Sequence, residues 1–172
     1  MSRPPFEPVA EEDLRKVGIQ LGRTPRDVVG VAARCVCGAP TVVATKPRLE
    51  DGTPFPTFYY LTHPGATAAL SALEAGQLMV ELNARLASDA DFAGHYQLAH
   101  ESYLIDRSGF GEVPEIAGIT AGGMPARVKC LHALAAHSLA AGPGVNPVGD
   151  AALERSAWSP ERCECPSYLE EN

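Results

Sequence analysis

The runs suited to β-strands all lie before His63, and from Pro64 onward the apolar spacing is that of helices. Val28 to Cys35 is a short apolar run of the kind a buried strand shows, Thr41 to Thr45 is β-branched, and Thr57 to Thr62 supplies a third. Cys37-Gly38-Ala39-Pro40 and Asp51-Gly52 bring turn chemistry between them. The expected result is an antiparallel hairpin extended to a three-stranded meander, the smallest sheet that can stand with a helical layer over one face. Strands gathered early and helices late point to a single-domain α+β fold, a small antiparallel three-stranded sheet packed against four to five helices.

A first helix is expected from about Ala10 to Leu21, with Glu11, Glu12 and Asp13 in its first turn, where the helix dipole favours them. Leu14, Val17 and Leu21 form its inward stripe, and Gly22 is placed to end it. Residues 1–9, with Pro4, Pro5 and Pro8, read as a flexible arm. After the strands, Ala66, Ala69, Leu70 and Leu73 mark one face of a helix from Pro64 to about Ala75. A second follows to about Ala87, and a third, capped by Asp89 or Asp91, runs to about Arg107. Its Tyr96, His100, Tyr103 and Arg107 share one face, which either lines a polar pocket or stays half exposed. Residues 108–123 read as a glycine-rich loop, followed by a helix from about Pro125 to Ala141 and a short one from Asp150 to Arg155. The domain is expected to span residues 10–156. The tail, 157–172, would be ordered only if something pins it, its own cysteines being candidates.

The chain has 172 residues, enough to bury a core as one domain without disulfides or metal. Its 14 Lys+Arg against 21 Asp+Glu argue against duplex nucleic acid or an anionic membrane as partner. No leader and no apolar run long enough for a membrane span is read, so a cytoplasmic protein is expected. Five cysteines (Cys35, Cys37, Cys130, Cys163, Cys165) are an odd count; in a reducing compartment they favour metal binding or thiol chemistry over a disulfide framework.

The densest chemistry lies in Gly122 to His137. With the helix starting at Pro125, Cys130 and His137 are seven residues apart and face one side, while His132 lies about 200° round the wheel from Cys130. In a meander the ends of the first and third strands point the same way, so Cys35 and His63 can meet at one end of the sheet. A helix crossing there would complete a mixed set of Cys35, His63, Cys130 and His137 suited to tetrahedral zinc, with an iron–sulfur cluster as the alternative cofactor. A second reading takes Gly122, Gly123, Arg127 and Lys129 as an anion site at a helix N-terminus for a small anionic or phosphorylated ligand. The enzyme this implies would draw on Cys130, His132 or His100, with Cys130 also weighed as a thiol nucleophile.

The segments Val31 to Cys35, Phe55 to Pro64, Ala99 to Leu104, Gly122 to His132 and Gly144 to Asp150 resemble the bacterial domain-of-unknown-function family 501, over about residues 12–155. The resemblance implies a bacterial cytoplasmic protein of no established activity, often encoded near cell-division and polyphosphate-metabolism genes. An interaction module linked to division, with a protein partner and no catalytic site, is therefore a third reading. The family's pattern matches this chain at Cys35, His63, Cys130 and His132. It thus points to His132 where the helical wheel points to His137, and it leaves Cys37 outside the ligand set. Cys163 and Cys165 could supply thiolates only if the tail folds back.

Overall fold

The computed structural model describes residues 6–166. Its helices are α1 (Glu11–Leu21), α2 (Pro64–Ala75), α3 (Leu78–Ser88), α4 (Ala90–Ser108), α5 (Leu131–Ala141) and α6 (Pro147–Arg155). Its strands are β1 (Val28–Arg34), β2 (Pro40–Thr45) and β3 (Tyr59–Leu61). They form one antiparallel meander in the order β1-β2-β3, with Val31 opposite Val43 and Val42 opposite Leu61. The α+β fold is therefore as the sequence pattern implies, with six α-helices among the described residues.

Helices cover both faces of the sheet. Alternate residues of a strand point to opposite sides. Val42 and Ala44 join Leu131 and Leu134 of α5 in the main core, while Val43 shares the other side with Val17 of α1. All six residues of β2 are buried in consequence, which accounts for its unbroken run of small and β-branched side chains. Arg34 ties α1 to the end of β1, donating to both carboxylate oxygens of Asp13 (2.8 and 3.1 Å), to Glu7 (2.9 Å) and to the Gly38 carbonyl (2.9 Å).

Part of the expected N-terminal arm is held. Glu7 exchanges two backbone hydrogen bonds with Val31, and the Phe6 ring packs against Phe110 at 5.4 Å. A Cβ at Gly30 would come within 2.7 Å of the Phe6 ring, so only glycine lets the arm cross β1 there. Residues 1–5, and 167–172 of the expected tail, lie outside the described residues.

The polar stripe of α4 is buried rather than half exposed. Tyr96 donates to the Arg127 carbonyl (3.0 Å), and His100 Nδ1 meets Thr120 Oγ1 (2.9 Å). Arg107 donates to the carbonyls of Pro56, Ile116 and Ile119. These groups pin the glycine-rich connection, whose carbonyls would otherwise be buried without donors.

The last large helix begins six residues later than expected, at Leu131 instead of Pro125. Two features hold the preceding segment out of a helix. Gly122 and Gly123 adopt φ of +69° and +95°, and the Gly122 carbonyl accepts from both Lys129 N and Cys130 N. The Asn83 side chain also pairs with Val128 in both directions, accepting from its N–H (2.8 Å) and donating to its carbonyl (3.0 Å). Cys130 is consequently the extended N-cap of α5, with φ −146° and ψ 111°.

Candidate metal centre

The β1–β2 turn carries Cys35 and Cys37, and the chain beyond α6 returns to it. Val36 N donates to the Pro160 carbonyl (3.0 Å), and Trp158 is buried against His63 with ring centroids 5.2 Å apart. This brings Cys163 and Cys165 to the turn. The sulfurs of Cys35, Cys37, Cys163 and Cys165 all lie within 4.8 Å of one another, as free thiols, and such a set can hold a metal ion.

The turn directs backbone N–H groups at its two sulfurs. Burial pushes the Cys35 thiol up, and the Cys37 N–H directed at it works the other way. Burial would raise Cys37 too, but the Ala39 N–H and the surrounding thiols outweigh it and hold Cys37 below the ordinary thiol range. Cys165 is pushed far up, first by burial and then by the neighbouring Cys37 and Cys35, the Cys37 sulfur lying 3.4 Å away. Three thiols crowded around one favoured thiolate form an arrangement that a cation relieves.

His63 touches this cluster. It is the N-cap of α2, and its Nδ1 accepts from Gly65 N (3.0 Å) and Ala66 N (3.3 Å). Its Nε2 lies 3.1 Å from Cys165 Sγ. Burial depresses its pKa, so the ring is favoured as neutral, and the two N–H groups at Nδ1 leave its proton on Nε2, facing the sulfur.

The other expected ligands lie elsewhere. Cys130 is grouped with His132 and Glu74, three donor atoms within 4.8 Å of one another, and not with Cys35. The wheel that paired Cys130 with His137 fails because Cys130 precedes the helix. From that cap its sulfur reaches His132 Nδ1 at 3.9 Å. His137 is 0% exposed, between the rings of Tyr59 and Tyr103, where Asn146 Nδ2 meets its Nδ1 at 3.1 Å. His100 is occupied by Thr120 at a buried position.

Gly122, Gly123, Arg127 and Lys129 do line one pocket, but it is not a free helix N-terminus. The N-terminus of α5 already has an anion, since Glu74 Oε1 accepts from Leu131 N (2.8 Å). Burial pushes the Cys130 thiol up, the Ala133 N–H opposing and Glu74 adding to it, which speaks against a free thiolate nucleophile there.

A family model described as a protein of unknown function, DUF501, matches residues 31–154. The chain belongs to this family. No curated protein and no solved structure matches it. The DUF501 match contains Cys35, Cys37, Glu74, Cys130 and His132, and it ends before Cys163 and Cys165. No helix among the described residues of this DUF501 chain is long and apolar enough to cross a membrane.

Sequence reasoning missed Glu74 outright and left Cys37, Cys163 and Cys165 off the ligand set. The signal available was the repeated Cys-x-Cys spacing, Cys35-Val36-Cys37 and Cys163-Glu164-Cys165. Glu74 carried none, because a lone carboxylate near a helix C-terminus looks like solvated surface.

Proposed function

We propose that this protein holds a structural zinc ion on Cys35, Cys37, Cys163 and Cys165, which fastens the chain beyond α6 to the β1–β2 turn. The observation that carries this is the mutual approach of four thiol sulfurs within 4.8 Å. Sulfurs on one tetrahedral ion at about 2.3 Å stand roughly 3.8 Å apart. A four-iron cluster binds each thiolate to a different iron and needs them more widely spaced, which favours zinc over iron–sulfur. His63 serves here as a donor to the Cys165 thiolate and not as a ligand. Binding metal through Nε2 would move its proton to Nδ1, against the N–H groups of Gly65 and Ala66.

Metal analysis of the full chain, purified without a polyhistidine tag, tests this by difference. The Cys163→Ser/Cys165→Ser chain should carry about one equivalent of zinc less than wild type. His63→Asn, which keeps an N-cap acceptor but loses the donor to Cys165, should weaken that zinc about tenfold. Equal zinc in wild type and the double variant, or iron with visible charge-transfer absorption in the wild type, would overturn the proposal.

A further inference from the structure

Glu74, Cys130 and His132 form a second group with a different character. One face of α2 is arranged around His132, for Thr67, Ser71 and Glu74 follow at i, i+4 and i+7. His132 Nε2 lies 3.1 Å from the Thr67 carbonyl and 3.1 Å from Ser71 Oγ. A carbonyl only accepts, so Nε2 carries a proton. The ring's Nδ1 faces Glu74 Oε1 at 3.0 Å and Cys130 Sγ at 3.9 Å. A proton on Nδ1 would make this an ion pair, and a metal ion in its place would draw on the sulfur as well, all three donor atoms lying within 4.8 Å of one another. A histidine whose remote nitrogen is fixed by a carbonyl is the usual setting of a metal-bound imidazole.

The surroundings are open on one side. His132 and Glu74 keep 24% and 26% of their side-chain surface exposed. A pocket of about 310 Å³ reaches Cys130 and His132 past Thr57, Tyr60 and Thr67. A second, of about 480 Å³, adjoins it across Thr57, Gly122 and Cys130 and carries Arg127 and Lys129.

We propose that Glu74, Cys130 and His132 bind a second zinc ion through three protein ligands, with an open coordination position facing the pocket and available to a small oxyanion. The donor set of one thiolate, one imidazole and one carboxylate suits zinc, and three protein ligands with a free fourth position is the form of reactive zinc sites, in contrast to the closed four-cysteine kind. Arg127 and Lys129 on the adjoining wall select negative charge in whatever approaches that position.

The test uses the full chain without a tag, in the Cys163→Ser/Cys165→Ser background, so that cysteine-cluster zinc is absent. That chain should bind about one equivalent of zinc, and adding His132→Ala or Glu74→Gln should abolish the binding. With cobalt(II) in place of zinc, inorganic phosphate should shift the visible bands, and Arg127→Ala/Lys129→Ala should weaken that response about tenfold. If the double-serine chain does not fold, wild type against His132→Ala answers by stoichiometry, the variant carrying about one equivalent less. A folded background chain that binds no metal, or His132→Ala and Glu74→Gln chains with wild-type stoichiometry, would overturn the site. A cobalt spectrum indifferent to phosphate would overturn the open position. Loss confined to Cys163→Ser/Cys165→Ser sinks only this inference, and loss confined to His132→Ala sinks only the structural zinc.

Discussion

The two thiol-bearing sites of this chain differ in what holds their residues together without metal. The cysteine cluster joins a hairpin turn to a segment some 125 residues later in sequence, Cys37 lying 128 positions before Cys165. One backbone bond from Val36 to Pro160, the buried Trp158 and the contact of His63 with Cys165 fasten that segment among the described residues. The Glu74 group instead sits where two helices already meet. Leu131 beside it is fully buried in the main core, and Glu74 caps α5 through Leu131 N (2.8 Å). A metal in the first site would act as a cross-link on the fold. In the second it would be a guest of a preformed pocket.

The largest expected effect follows from the cross-link. Cys35→Ser removes the most buried sulfur of the cluster, 3% exposed, and with it the closure of a loop of more than a hundred residues. A cross-link over such a loop contributes on the order of 4 kcal/mol through the unfolded state, or about 10 °C in Tm for a chain this size. Calorimetry should show that loss in the variant, and a chelator should reproduce it in wild type while moving the variant far less. A chelator-insensitive wild type would erase the distinction between the two sites.

The early half of the fold was legible because β-branched runs and turn dipeptides are local signals. The site was less so, for three physical reasons. The start of α5 depends on Asn83, 45 residues from its partner Val128, so no local pattern could show that Cys130 precedes the helix. Moving that boundary changed the companion of Cys130 from His137 to His132. The cysteine cluster depends on the return of a proline-containing tail, and such a return is a tertiary event. His137 was chemically attractive but lies deep among aromatic rings, a place a helical wheel cannot distinguish from the edge of a pocket.

Acid would strip metal from both sites, so the comparison sharpens once the fold's own acid response is known. His137 dominates that response. Burial holds its pKa down to about 4, against 6.5 for the free side chain. Between those values the unfolded chain binds a proton that the folded chain does not, so stability falls as pH drops from about 6.5 to about 4 and this contribution is then exhausted. The loss amounts to about 3 kcal/mol at the acid end. His63 and His100, both depressed chiefly by burial, act in the same direction. Denaturant titrations of His137→Phe, with chelator present throughout, should show a visibly flatter stability profile over that range. An unchanged slope would mean that the ring is protonated in the folded core.

The smallest effect on stability, and the sharpest on the comparison, is expected from Glu74→Gln. The amide keeps an oxygen to accept from Leu131 N, so the first turn of α5 remains capped. What is lost is the charge near the helix N-terminus and its contact with His132 Nδ1, 3.0 Å away. A partly exposed charge at a helix end contributes about 0.3–1 kcal/mol, so Tm should move by no more than about 4 °C. Zinc at this site, by contrast, should be lost, because a neutral amide is a poor replacement for a carboxylate ligand. Stability nearly kept while metal is lost is the reverse of what Cys35→Ser should give, where both go together. If Glu74→Gln instead melts as low as Cys35→Ser, Glu74 is a structural pin between α2 and α5, and the metal it holds is as much a part of the fold as the one in the cysteine cluster.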